Sequence, residues 1–335
     1  MLHVLSVIAP MFILLGVGMA AGFAPRFQSA QAGLNAFVFY FSLPAFLFVA
    51  VTNAPIRDGV PLAFVWISLG VTAVVFALVH VVAWAIRAAS ASKAAGLMPG
   101  PMAVAATYGN VGYLGVPIVM SVIGHEAALG AALGQLLHNM LFMVGYPLLR
   151  SLRGGTPGGT PGDSLDGGGT LRAVGALLWR VAKGALLLNP VVLGVVAGVL
   201  VGALGIELPG VVTASISMLG QAAVPAAMFA VGLSIKPALA GMRSGHIPVS
   251  AVAIASAVKL GVLPLATFAA VLVFGADLAP QWVGAAVIMA AMPVSSTASI
   301  IVFEYDGDVR LVGATTLVTS VVAVVTIPLV LLLLG

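Results

Sequence analysis

Apolar residues run along this chain in blocks of about 20, the length that crosses a ~30 Å hydrocarbon layer as a helix, and short polar breaks separate the blocks. Read on that length, the pattern predicts ten spans, over 3–23, 33–53, 60–87, 97–124, 127–149, 184–204, 211–235, 248–274, 281–303 and 309–334. The first block follows Met1 without a basic leader, so it is expected to remain as a span. One break is long. Ser151 to Arg172 reads SLRGGTPGGTPGDSLDGGGTLR, a stretch too poor in apolar side chains to bury a core, and it is expected to be a flexible linker. No Gly-Lys-Ser/Thr follows its glycines, so it is not a phosphate loop. The linker leaves five spans in 1–150 and five in 173–335.

Two spans are interrupted in their middles, at corresponding places in the two halves. The first reads Tyr108-Gly109-Asn110-Val111-Gly112-Tyr113-Leu114-Gly115-Val116-Pro117, and the second Ala291-Met292-Pro293-Val294-Ser295-Ser296-Thr297-Ala298-Ser299. Glycine and proline release backbone N–H and C=O groups that lipid cannot solvate, so such breaks belong inside protein or beside a watery cavity. The halves also echo each other in sequence. Pro10, Gly18 and Gly22 recur 180 residues on as Pro190, Gly198 and Gly202, and Pro44-Ala45-x-x-Phe48 recurs as Pro225-Ala226-x-x-Phe229. Pro147-Leu148 recurs as Pro328-Leu329. Five spans per copy force the second copy to enter from the opposite face, which is an inverted repeat, and a matched pair of broken helices is the best sequence pointer to a transport site near the midplane.

Composition agrees with an all-α polytopic membrane protein: 61% of residues are hydrophobic and only 7% charged, far below what a soluble surface of this size needs. There is no cysteine, hence no disulfide and no thiol chemistry. The sequence pI near 9.7 reflects topology. With the N-terminus outside, the inner loops hold Arg26, Arg87, Lys93, Arg150, Arg153, Arg172, Arg180, Lys183, Lys236, Arg243 and Arg310, and only Arg57 lies in an outer loop. Both termini are therefore expected outside and the linker in the cytoplasm. Lipid contact accounts for the apolar surface, and nucleic acid is not an expected partner.

The candidate chemistry sits at mid-depth. Asn110 and Pro293 lie 10–13 residues into their spans, as does Lys259 on span eight. A midspan lysine costs at least ~2.5 kcal/mol to insert, and every acidic residue falls in a loop or near a span end. Lys259 therefore reads either as a lysine that bonds helix carbonyls, snorkels or stays neutral, or as a charge that attracts an anion or replaces a coupling cation. Pro117 and Pro293 are each expected to start a half-helix, whose free N–H groups suit a carboxylate. Asn110, Gly112, Ser295, Ser296 and Thr297 add polar groups and close approach there, with Gly109 and Gly115 completing the first break. Gln135, His138 and Asn139 make a polar stripe on span five, and Thr315, Thr316 and Thr319 lie on its counterpart, span ten. His80 falls near the counterpart of Lys259, as core packing or a proton relay. No histidine has metal-ligand spacing, so neither a metal nor a catalytic residue is assigned. Asp306-Gly307-Asp308 lies at a span end without a second embedded aspartate, which argues against an intramembrane protease.

Asn110-x-Gly112-x-x-Gly115-x-Pro117, the Met292-Pro293 break followed by hydroxyl residues, Asn189-Pro190, and the LPG…LGQAAVPAAMFAVGLSI pattern from Leu208 to Ile235 together resemble the auxin efflux carrier family along essentially the whole chain. The resemblance implies ten spans in two inverted five-helix repeats. It implies a scaffold of spans 1, 2, 6 and 7, able to form a homodimer, and a mobile domain of spans 3–5 and 8–10 in which broken spans 4 and 9 cross, as in bile acid/sodium symporters and sodium/proton antiporters. The short linker is similar to that of prokaryotic members, which places the chain in a bacterial inner membrane. Bacterial members are linked to malonate and related organic anions. The expected function is thus a carrier of small carboxylates that works by an elevator movement, with no cofactor and with H+ or Na+ as the candidate coupling ion. A sodium-coupled bile acid-type symporter and a non-transporting sensor are the alternatives. A cation/proton antiporter should place carboxylates at the midplane, and none is visible.

Overall fold

The computed structural model describes residues 2–52, 59–89, 98–152, 179, 188–243, 249–306 and 309–334. The expected linker lies outside the described residues from Arg153 onward, as do Arg57, Lys93, Gly307 and Asp308. Helix dominates, in the order α1 (Leu2–Ala21), α2 (Pro25–Thr52), α3 (Leu62–Ala89), α4 (Pro99–Thr107), α5 (Val111–Val122), α6 (His125–Gly145, continuing to Leu152), α7 (Pro190–Leu204), α8 (Gly210–Gln221), α9 (Ala223–Arg243), α10 (Val249–Phe274), α11 (Pro280–Ala290), α12 (Thr297–Asp306) and α13 (Arg310–Leu334). The strand-like pairing among the described residues is an isolated bridge between Gly109 and Val294.

Among the described residues, six helices are long and apolar enough to cross a membrane: Pro25–Thr52, Leu62–Ala89, His125–Gly145, Gly210–Leu233, Val249–Phe274 and Arg310–Leu332. Shorter apolar helices cover Ala9–Ala21, Val111–Val122, Pro190–Leu204 and Pro280–Ala290. Large apolar side chains such as Trp66, Leu78, Val211, Leu272 and Phe303 face outward, as a lipid-facing surface requires.

Proline shapes these helices in a way the apolar pattern did not reveal. Wide π turns occupy Val38–Ser42, Ile67–Val71, Val111–Gly115, Leu141–Gly145 and Val258–Val262, and all but Ile67–Val71 end two residues before a proline: Pro44, Pro117, Pro147 and Pro264. A proline ring clashes with the carbonyl four residues back and offers no N–H. One π turn lets the chain pass that carbonyl without breaking the helix.

Helix pairs pack through glycine, and one contact occurs twice with the halves exchanged. A methyl group on Gly18 of α1 would collide with the Phe229 carbonyl of α9, and one on Gly198 of α7 would lie 2.8 Å from the Phe48 carbonyl of α2. Gly194 and Gly202 flank the second contact, against Pro44 and Thr52. Backbones approach this closely only where no Cβ intervenes. At the end of α7, Gly205 takes φ +61°, the left-handed cap that turns the chain toward α8.

Candidate functional site

The two interrupted segments meet. α4 stops at Thr107 because Tyr108 swings to an extended conformation, and α11 stops ahead of Pro293, whose ring disfavours helix in the residue before it. The freed backbones pair antiparallel. The Asn110 N–H donates to the Pro293 carbonyl at 2.7 Å, and the Ser295 N–H donates to the Tyr108 carbonyl at 3.0 Å. The two donors at the centre of the bridge turn outward to side chains. The Gly109 N–H donates to His138 Nε2 on α6 at 2.9 Å, and the Val294 N–H donates to Thr319 Oγ1 on α13 at 3.0 Å. Backbone groups that the broken helices would have orphaned at mid-depth thus find partners. An imidazole that accepts at Nε2 carries its proton on Nδ1. Tyr108 and Phe142 stack at 4.4 Å, and the His138 ring packs beside both, at 5.4 and 4.9 Å.

The helices that leave the bridge are not started by proline. α5 begins at Val111, with Asn110 as its cap, and the Asn110 Oδ1 accepts from the Tyr113 N–H at 3.2 Å. Pro117 lies beyond the π turn instead. α12 begins at Thr297, whose N–H donates to the Ser295 Oγ at 3.2 Å. Pro293 stays in the bridge. Asparagine and serine side chains can accept from the orphan N–H groups of a first turn, which proline cannot do, so the cap residues set both starts.

A cavity of about 470 Å³ opens on these two helix starts. Gly109, Asn110, Gly112, Gln135, Asn139, Ser295, Ser296 and Thr297 line it, so eight of the residues singled out in the sequence come together. Five others do not reach it. His138 serves the bridge backbone. Gly115 packs on Met292. Pro117 and Pro293 shape the chain. Lys259 is fully buried behind Gly109, in the π turn that Pro264 imposes on α10. Its ammonium donates to the Ala290 carbonyl at the end of α11, at 2.7 Å, where the helix dipole favours a cation. A methyl group on Gly109 would lie 3.2 Å from both the Lys259 Cε and Nζ.

Sequence reasoning missed the far wall. Gln31, Asn35 and Phe39 of α2 face the bridge across the cavity, and Tyr113 reaches toward the Asn35 carbonyl at 3.5 Å. The signal was present, since Gln31 and Asn35 are polar and four apart on one helix face. The described lining residues carry no charged side chain. Gln135 is buried, packs against Gly112, and has an Oε1 without a hydrogen-bond partner. It also lines a second cavity of about 270 Å³, walled by leucines of α6 and valines of α7, together with Asn139. His80 stacks on Phe76 beside another apolar pocket and lies away from the bridge.

The family described as membrane transport protein matches residues 3–331. A protein of Rhizobium meliloti (strain 1021) named "Putative malonate transporter" is 29% identical over 236 residues, which cover 70% of this chain and 68% of that one.

Proposed function

We propose that this chain, which belongs to the membrane transport protein family of auxin efflux carriers, carries small organic anions across a bacterial inner membrane by an elevator movement. The six long helices and the shorter apolar ones then make ten spans, in which α4 with α5 and α11 with α12 each cross as one broken span. The glycine contact repeated with the halves exchanged supports two inverted repeats, 1–150 and 173–335, joined by a cytoplasmic linker, with both termini outside. α1, α2 and α7–α9 form the scaffold and the surface for a homodimer. α3–α6 and α10–α13 carry the ligand.

One observation carries this reading: the antiparallel bridge between Gly109 and Val294, with a polar cavity opening on the two helix starts beside it. Helix starts present N–H donors and partial positive charge to a carboxylate. Asn110, Ser295, Ser296 and Thr297 orient that carboxylate, and Gln135 and Asn139 meet the rest of the ligand. Lys259 and His138 act from behind the bridge, Lys259 as a built-in positive charge and His138 as an anchor for the break. With an ammonium already on the Ala290 carbonyl, the end of α11 does not call for a sodium ion.

The relative's name makes malonate the first compound to try. Purified protein should be screened against short mono- and dicarboxylates by thermal shift, and the hits tested for flux in vesicles. Stabilisation by a carboxylate, followed by flux, is the expected result. Ligand-induced stabilisation without flux would point to a sensor, and flux that requires sodium to a symporter of the bile acid type.

A further inference from the structure

Resting on the anion-carrier reading above, we infer that the cavity takes a dicarboxylic acid in its singly protonated form, with the ionised carboxylate at the helix starts and the protonated carboxyl donating to Gln135 Oε1. Charge and hydrogen-bond donors both select that form. The described lining residues are neutral, and the titratable ones among them are the phenols Tyr108 and Tyr113. Two further titratable groups stand close behind the bridge. His138 is the acceptor for the Gly109 N–H, and Lys259 lies against Gly109. α2 brings Gln31, Asn35 and Phe39 to the cavity, none of which titrates, and α7 brings Asn189 to the adjoining one. Lys259, taken as protonated, then supplies one positive charge at mid-depth. A monoanion matches it. A dianion would leave a second charge uncompensated in a region that penalises charge steeply.

Gln135 supplies the second half of the argument. It is 3% exposed, and its Oε1 is sealed from water and without a partner. A buried acceptor left unmade is costly, and a ligand that offers a donor recovers that cost. The outermost torsion of a glutamine is soft, so a small turn of the amide brings Oε1 to the cavity. A carboxylate has no hydrogen to give, whereas a carboxylic acid does. Neither Lys259, tied to Ala290, nor His138, tied to Gly109, has to release a proton in this scheme. The proton crosses on the substrate, and proton coupling follows without a titrating group in the cavity wall.

The test compares isosteres on the purified full-length protein. Malonamate and acetoacetate are both monoanions and differ as an amide NH2 differs from a methyl group. Malonate adds the titrating acid. Malonamate should bind with an affinity that does not change across the second ionisation of malonic acid. Acetoacetate should bind roughly tenfold or more weakly, the worth of a hydrogen bond from a buried acceptor. Malonate should weaken by about tenfold per pH unit above that ionisation, following the singly protonated species. Gln135→Met should remove the preference for malonamate over acetoacetate. Equal binding of the two isosteres by the wild-type protein, or malonate binding that strengthens as the pH rises, overturns the inference and leaves the carrier reading standing. If Gln135→Met does not fold, the wild-type comparison decides alone. Failure of all three compounds to bind would remove the anion-carrier reading, and this inference with it.

Discussion

Asn110 has two tasks that compete for one side chain. Its oxygen caps α5 through the Tyr113 N–H, and the same residue lines the cavity. Asn110→Ala should therefore weaken carboxylate binding by roughly 1.5–3 kcal/mol, about tenfold or more, while the protein still folds. Titration of the purified variant checks this, and unchanged affinity both here and in a Ser295/Ser296 double alanine would displace the site. Lys259 differs in that it touches no ligand. Lys259→Met keeps the length of the side chain and removes a buried charge but leaves the Ala290 carbonyl without its donor, so the protein should still fold while flux is largely lost. Normal flux in that variant would reduce Lys259 to a packed lysine that happens to satisfy Ala290.

At the scale of elements, glycine position decides cost. A methyl group on Gly16 of α1 meets nothing within 4 Å, whereas one on Gly198 of α7 runs into the Phe48 backbone. Gly16→Ala should be neutral or stabilise by about 0.5–1 kcal/mol, and Gly198→Val should destabilise by about 1–3 kcal/mol or more. Thermal unfolding in detergent separates them, and a similar cost for both would contradict the packing. The sequence alone could not tell these two glycines apart, because their difference lies in the helix opposite. The breaks were legible because glycine, proline and polar residues cluster at corresponding mid-depths of the two halves. Their caps were misread, because proline looks like a start wherever it stands, while Asn110 and Ser295 have to be seen in the extended bridge to be recognised as caps. Pro44, Pro117, Pro147 and Pro264 did not announce their π turns, because Pro10 and Pro328 stand inside helices without one and Ile67–Val71 has one without a proline. Lys259 was found by depth, and its partner was not, because a backbone carbonyl leaves no mark in a sequence. Thr319 was legible only as one hydroxyl among several on its span.

For the whole molecule, orientation is the first quantity to measure. Asp277, between α10 and α11, and Arg26, at the start of α2, are both exposed. In the proposed orientation, which follows the distribution of basic residues, Asp277 would lie outside and Arg26 inside. The wild-type chain has no cysteine, so Asp277→Cys should react with an impermeant thiol reagent in intact cells and Arg26→Cys should not. The reverse pattern would invert the topology.

A charge carried inside a moving body also responds to membrane voltage. Lys259 belongs to α10, within the unit assigned to carry the ligand. In the proposed elevator cycle, with Lys259 protonated, its charge and that of a bound monoanion would sum to zero, so the loaded unit would cross without moving net charge and the empty unit would return with its charge unbalanced. Taking one full charge through 100 mV is worth about 2.3 kcal/mol, and any part of that distance weights the empty step in proportion. Substrate-for-substrate exchange uses only loaded crossings and should be indifferent to an imposed potential, whereas net flux should change with it. In vesicles held at set potentials, exchange that follows voltage as steeply as net flux would show that the loaded unit is charged after all.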